Sequence, residues 1–107
     1  MDLKELTAEM QHFVSAKGWD QVGSLRPQTQ RNLAISLNLE AAEILEHFQW
    51  SEETRDPEGL AEELADVSLY LLQLASVSQI DLETAILHKL EKNYHRQWDL
   101  PDEKKGK

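Results

Sequence analysis

The sequence has 107 residues, of which 40% are apolar, and its twenty acidic side chains outnumber eleven basic ones to give a net charge of −9. A chain of this length forms one domain with a modest core, and its acidity argues against binding a nucleic-acid polymer, which requires a basic face. It has no cysteine, which excludes disulfides and thiolate metal sites and favours hard cations such as Mg²⁺ or Mn²⁺ as any bound metal.

Helix-forming stretches alternate with short breaks in the first half of the chain. Apolar residues recur at helical spacing over about residues 3–17, and Gly18 can end this first helix. Residues 19–28 are predicted to form a loop. Thr29 can then cap a second helix over about residues 30–49.

Two acidic residues mark the starts of two further helices. Asp56, followed by Pro57, predicts a third helix that runs to about Ser78. Asp81 can cap a fourth helix that runs to about Trp98.

No segment alternates in the manner of a strand, so the sequence predicts an all-α four-helix bundle. We expect one domain over residues 1–98, followed by a polar tail over 99–107. The apolar faces exceed what one small bundle can bury, so we also expect a homodimer or homotetramer. Residues 1–13 lack the apolar core of a signal peptide and no apolar run could span a membrane, which favours a cytoplasmic protein without membrane association.

Acidic residues lie beside the apolar stripes of the second and third helices. Glu40 projects within about 20° of one stripe, and Glu43 lies one turn further on. Glu63 falls within the stripe of the third helix, and Asp66 lies on the same flank. Both helices therefore carry an acid at i and i+3 on their inner edge.

A carboxylate that faces a core is costly unless it is paired or coordinated. If the second and third helices pack antiparallel, the four acids converge and require a cation, for which hard oxygen ligands favour Mg²⁺. Two ordinary interpretations remain open. The acids could lie on solvated faces, or Glu40 and Glu63 could form ion pairs with Arg31, Arg55 or Lys89.

A carboxylate-bridged di-iron bundle is a weaker interpretation. It needs Glu-x-x-His motifs on two helices, and here Glu9 and His12 of the first helix form the single example. His12, His88 and His95 are therefore expected to have no catalytic role.

The spacing of the acids resembles a known signature. Glu40-Ala-Ala-Glu43, nineteen residues and Glu63-Leu-Ala-Asp66 are similar to the ExxE…ExxD motif of the MazG-like all-alpha nucleoside triphosphate pyrophosphohydrolases. Three further segments also match: Phe-Gln-Trp at 48–50, the run 62–72 and Lys-Leu-Glu-Lys-Asn at 89–93. The resemblance extends from about residue 6 to residue 93 and is greatest to small stand-alone members, including dCTP pyrophosphatases.

The resemblance implies that Glu40, Glu43, Glu63 and Asp66 bind Mg²⁺, with Mn²⁺ as a possible substitute. It implies cleavage of (deoxy)nucleoside triphosphates between the α and β phosphates, which gives the monophosphate and pyrophosphate and would serve nucleotide-pool house-cleaning. Glu43 and Glu63 are the candidate catalytic residues, Glu43 as the proton relay. Substrates such as dUTP or phosphoribosyl-ATP are alternatives within the class, and a non-catalytic dimerisation or metal-sensing module is the alternative outside it.

Basic residues near the C-terminus are candidates for contacting the leaving pyrophosphate, although a solvated basic face explains them nearly as well. These candidates are Lys89, Lys92, Asn93 and Arg96, with Arg26 and Arg31 as alternatives near the loop. Many relatives place a basic run and Tyr-Pro after the Lys-Asn pair, which residues 94–101 lack.

Aromatic residues next to helix ends are candidates for contacting the base. Trp19 and Trp50 each follow a helix end, where they could either border a pocket or serve packing. Phe48 is predicted to be a core residue and Trp98 to pack in the tail. A neighbouring chain could contribute Trp19 and residues 89–96 to the pocket.

Overall fold

The computed structural model describes residues 1–96, which contain four α-helices and no strand. The helices are α1 (Leu3–Ala16), α2 (Gln30–Glu46), α3 (Pro57–Val77) and α4 (Leu82–His95). The all-α four-helix prediction is therefore confirmed. The predicted tail over 99–107, together with Trp98, lies outside the described residues, so the predicted domain boundary stays a prediction.

Each predicted cap begins its helix as expected. The side chains of Thr29, Asp56 and Asp81 accept a hydrogen bond from the backbone N–H three residues later, at 3.2, 3.0 and 3.2 Å. Asp2 caps α1 in the same way. These bonds satisfy donors that have no partner inside the helix, and they fix where α3 begins relative to its acidic residues.

Helix ends were predicted less well than helix starts. The prediction that the second helix reaches residue 49 is wrong, because the N–H groups of His47 and Phe48 bond to carbonyls only three residues back, which ends α2 at Glu46. Arg96 has an extended backbone with ψ of 144°, so α4 ends at His95 rather than at residue 98.

Gly18 ends α1 with a left-handed residue, at φ of +72°. The N–H of Gly18 bonds to the carbonyl of Ser15 at 3.0 Å, and that of Trp19 bonds to Val14 at 3.2 Å. This is the Schellman pattern, which a glycine adopts without a steric penalty. The motif turns the chain back and sets Trp19 against the end of α1.

The α2 and α3 helices form an antiparallel pair, as their contacts at both ends show. At the start of α2, Gln30 Nε2 donates to Ser78 Oγ just beyond α3, at 2.9 Å. At the other end, His47 lies beside Glu63 in the second turn of α3. Leu33 of α2 is only 2% exposed, so this pair buries the most enclosed side chain of the described chain.

The α1 helix packs against α3 through a small apolar core. Met10, Val14 and Leu72 are buried together, and Gln11 Nε2 donates to Ser76 Oγ at 2.6 Å beside them. Gln11 meets Ser76 near the end of α3, and Leu3 at the start of α1 lines a hollow with Ile80, which follows α3, so α1 also runs antiparallel to α3.

The α4 helix is attached loosely. None of its residues is buried, and its principal packing partner is α1. The radius of gyration is 17.2 Å, above the ~13 Å of a compact chain of about 100 residues. Apolar side chains on α4 therefore remain on the surface, including Ile86, Leu87 and Leu90. No helix among residues 1–96 combines the length and apolar character needed to cross a bilayer.

Replacing Asp56 by Ala should lower the free energy of unfolding by about 1 kcal/mol, because the N–H of Gly59 then loses its partner. Asp56→Asn should cost far less, since Asn caps nearly as well as Asp. Thermal unfolding at one fixed protein concentration measures both changes. Equal losses in the two variants would show that the carboxylate charge, rather than the cap, is what matters.

Candidate functional site

The four predicted acids lie on the facing antiparallel helices α2 and α3, and they differ in enclosure. Glu40 and Glu63 are half-buried, whereas Glu43 and Asp66 are exposed. Each helix thus presents one enclosed and one open carboxylate, separated by a single turn. The two acids of each helix therefore differ in their access to solvent.

Electrostatics shows that the other three acids act on Glu40. The pKa of Glu40 is raised above its ordinary value of 4.5, first by desolvation and next by the charge of Glu43. A hydrogen bond with Glu43, which requires one protonated carboxyl group, and the charges of Asp66 and Glu63 raise it further. Desolvation and the neighbouring acids therefore disfavour the ionised form of Glu40.

The donor set fits a hard cation. Glu40 Oε2 and Glu63 Oε2 are buried side-chain oxygens that accept no hydrogen bond among residues 1–96, and such atoms normally have a partner. Oxygen ligands at a site of high negative charge suit Mg²⁺. In the described part of the chain, however, no three Asp, Glu or His side chains are gathered closely enough to form a preformed metal site.

His47, which the sequence motifs do not single out, contacts the site. His47 Nε2 lies 2.5 Å from Glu63 Oε2, although the contact is not well enough aligned to satisfy that oxygen with a hydrogen bond. His47 Nδ1 is 2.7 Å from Thr54 Oγ1. The signal was present, because His47 follows Glu40 by seven residues, which is two turns along the same helical face.

The predicted alternative ion pairs do not form among residues 1–96. Glu63 is paired with His47, and neither Glu40 nor Glu63 forms a salt bridge with Arg31, Arg55 or Lys89. Surface ion pairing therefore does not explain why these two acids are enclosed.

Trp19 is half-buried and serves packing at least in part. Its ring packs edge-to-face on Phe13, with centroids 5.4 Å apart and planes at 85°, and it borders the core of α1 and α3. The guanidinium of Arg26 lies 5.4 Å from the centre of the Trp19 ring. A cation thus accompanies this aromatic ring, which brings one of the predicted alternative phosphate ligands next to a predicted base contact.

The aromatic residues after α2 are more exposed than predicted. Trp50 is 88% exposed and could still contact a ligand from the surface. Phe48 is 38% exposed, so the prediction that it is a core residue is wrong for the single chain. Its ring instead lies beside His47, with centroids 6.3 Å apart.

The predicted basic residues lie together at the end of α4. Lys89, Lys92 and Arg96 line an open hollow of about 420 Å³ together with Glu91 and His95. Asn93 adjoins them and is half-buried, and its Oδ1 accepts no hydrogen bond among residues 1–96.

Within residues 1–96 no hydrogen bond or ion pair links Lys89, Lys92 or Asn93 to the acids of α2 and α3. The prediction that basic and acidic residues act on one ligand therefore stays a prediction.

Comparison with known proteins identifies relatives over most of the chain. A model of the MazG-like family matches residues 35–106. The dCTP pyrophosphatase 1 proteins of mouse and human are 33% and 34% identical to the chain, and each match covers 89% of the chain and 56% of the relative. The chain thus spans about half the length of the curated relatives it matches.

A solved structure shares both the fold and the sequence pattern. The crystal structure of a pyrophosphatase from Archaeoglobus fulgidus superposes with a TM-score of 0.70 at 36% identity. The match covers 85% of this chain and 87% of that one, so the two chains share this helical arrangement over most of their lengths.

Replacing Glu40 by Gln should stabilise the metal-free protein at neutral pH and raise its Tm. The amide removes a desolvated charge that Glu43, Asp66 and Glu63 repel. Because the pKa of Glu40 is raised, the folded chain keeps a proton that the unfolded chain releases just above pH 4.5. The wild type should therefore lose stability as the pH rises through this window, and the variant should lose less.

Thermal unfolding in EDTA between pH 4 and 8 measures this difference. Glu46→Gln, at an exposed position of the same helix, is the matched control and should behave like the wild type. A Glu40→Gln variant less stable than wild type at pH 7 would contradict the charge-repulsion account.

Proposed function

The chain belongs to the MazG-like family, and on this premise we propose that it is a nucleoside triphosphate pyrophosphohydrolase that depends on Mg²⁺. It would cleave between the α and β phosphates to give the monophosphate and pyrophosphate. The observation that carries the proposal is the placement of Glu40, Glu43, Glu63 and Asp66 on the facing helices α2 and α3, where Glu40 is desolvated beside the other three acids. The pyrophosphatase names of the relatives and of the structural neighbour support the reaction class.

The four carboxylates would hold the metal, with Mn²⁺ as a substitute. Bound Mg²⁺ supplies charge neutralisation at the phosphates and activation of the attacking water. Glu40 and Glu63, half-buried, would orient the site from its enclosed side. Exposed Glu43 can reach water and accept its proton.

The leaving pyrophosphate needs positive donors, which the α2–α3 acids do not supply. Lys89, Lys92 and Arg96 offer them at the end of α4, and Asn93 adds an amide. Arg26, next to Trp19, is an alternative donor within the α1–α2 loop. Trp19 and the exposed Trp50 offer aromatic faces for the base.

We propose dCTP as the first substrate to test, because the curated relatives are dCTP pyrophosphatases. A role in clearing unwanted nucleotides from the pool follows from such an activity. A panel that includes dUTP, modified deoxynucleotides and phosphoribosyl-ATP separates the alternatives within the class. The absence of turnover on every member by the folded protein would instead favour a non-catalytic dimerisation or metal-sensing module.

We further propose that the chain acts as a homodimer or homotetramer. The radius of gyration of 17.2 Å and the lack of any buried residue on α4 leave apolar surface that a second copy could cover. A neighbouring copy could also bring its Lys89 and Lys92 close to the acids. Within one chain no described ion pair links these two lysines to the acids.

Glu63→Gln should reduce turnover by at least about 100-fold while helicity is unchanged, because one metal-binding carboxylate is removed. Release of monophosphate and pyrophosphate with Mg²⁺, and its loss with EDTA, provides the measurement. Mg²⁺ should also raise the Tm of the wild type more than that of the variant.

Glu62→Gln is the matched control, because Glu62 is exposed and adjacent in sequence. It should keep wild-type activity. Wild-type turnover by Glu63→Gln would show that the metal assignment is wrong.

Assembly can be tested separately from activity. Sedimentation equilibrium should give a mass at least twice the 12.3 kDa of one chain. Leu90→Glu on α4, where Leu90 is 50% exposed, should shift the mass towards the monomer because it places a charge on the apolar surface. His88→Glu adds the same charge at an exposed polar position of α4 and should not. A monomeric wild type would refute the assembly.

A further inference from the structure

We propose that His47 is a positioning residue that holds the Glu63 carboxylate in its metal-binding orientation, with Thr54 fixing the imidazole from the other side. The inference deepens the proposed function and rests on it. It depends on a chain of contacts that joins the end of α2 to the second turn of α3 through the loop between them.

The first contact is between His47 and Glu63. The two groups are 2.5 Å apart, and their side chains are only 11% and 25% exposed. Within residues 1–96 the structure shows no other ion pair to Glu63. His47 is therefore the ion-pair partner that the described residues place against this half-buried carboxylate.

The second contact is between His47 and Thr54. Thr54 Oγ1 accepts a hydrogen bond from the N–H of Asp56 at 3.1 Å and lies 2.7 Å from His47 Nδ1. Since that oxygen already accepts one bond, its single hydrogen is free to point at Nδ1. A neutral imidazole that accepts at Nδ1 carries its proton on Nε2, which faces Glu63.

This tautomer is the one compatible with an ionised carboxylate opposite, because a lone pair on Nε2 would repel it. Thr54 is itself held by the N-cap of α3, where Asp56 receives the N–H of Gly59. Thr54, in the loop between α2 and α3, thus connects the N-cap of α3 to the imidazole of His47. The imidazole in turn orients a carboxylate on the same helix.

Such support has a known consequence in metal sites. Hydrogen bonds from neighbouring groups to ligating carboxylates fix their orientation, and their loss typically reduces metal affinity or activity by about 10- to 100-fold. The role proposed for His47 is to donate to the carboxylate and not to bind the metal. His47 differs in this way from the histidines of the di-iron pattern, which coordinate the metal themselves.

The test compares four full-length proteins: wild type, His47→Leu, His47→Gln and Thr54→Val. Mn²⁺ affinity is measured by electron paramagnetic resonance, and the half-saturating Mg²⁺ concentration and nucleotide KM are measured in turnover. His47→Leu should weaken Mn²⁺ binding and raise half-saturating Mg²⁺ by about tenfold or more. The nucleotide KM at saturating Mg²⁺ should not change. His47→Gln keeps an N–H donor and should recover much of the affinity.

Thr54→Val preserves shape but removes the hydroxyl, and it should give a smaller change in the same direction. It also keeps the proposal testable if His47→Leu does not fold. Unchanged Mn²⁺ affinity in His47→Leu, or equal losses in His47→Leu and His47→Gln, would overturn the proposal. If the wild type binds Mn²⁺ without hydrolysing any nucleotide, the proposed function fails, while the affinities still decide the role of His47.

Discussion

The structure depends on bringing acidic side chains together on two antiparallel helices whose facing surfaces are partly closed to water. Glu40 experiences this most strongly, since desolvation and the charges of three neighbouring acids all raise its pKa. Folding therefore works against electrostatic repulsion at this point, and the helices must be held together elsewhere. Leu33, which is buried between them, and the polar bond from Gln30 to Ser78 provide that support at the far end of the pair.

Helix starts and the spacing of the acids could be read from the sequence because both depend on local rules. Thr29, Asp56 and Asp81 cap their helices as predicted, since capping requires only a short polar side chain and an N–H three residues on. The position of each acid relative to the apolar stripe of its helix also predicts that Glu40 and Glu63 are the more enclosed acids, which agrees with their burial. Helix ends depend on longer-range contacts, and for this reason α2 was predicted to continue beyond Glu46.

The interaction between His47 and Glu63 could not be read from motif spacing, because it joins two helices through a loop whose course the sequence does not reveal. Only the seven-residue offset from Glu40 placed His47 on the right face of α2. The burial of Phe48 could not be predicted from the sequence either. Its apolar character predicted burial, yet the turn that ends α2 leaves it 38% exposed. Position on a helical face is predictable, whereas position beyond a helix end depends on the fold.

The separation between the acids and the basic residues of α4 follows from how the helices pack. The α3 helix packs against both α2 and α1, whereas α4 rests mainly on α1 and buries none of its residues. A site that needs both metal-binding acids and phosphate-binding cations is therefore not assembled by the described contacts of one chain. If a second copy covers the apolar face of α4, then the same burial that stabilises the assembly would also fix where Lys89 and Lys92 lie. The stability of the assembly and the binding of substrate would in that case depend on the same interface. The reason is that α4, which buries none of its residues within one chain, also carries Lys89 and Lys92.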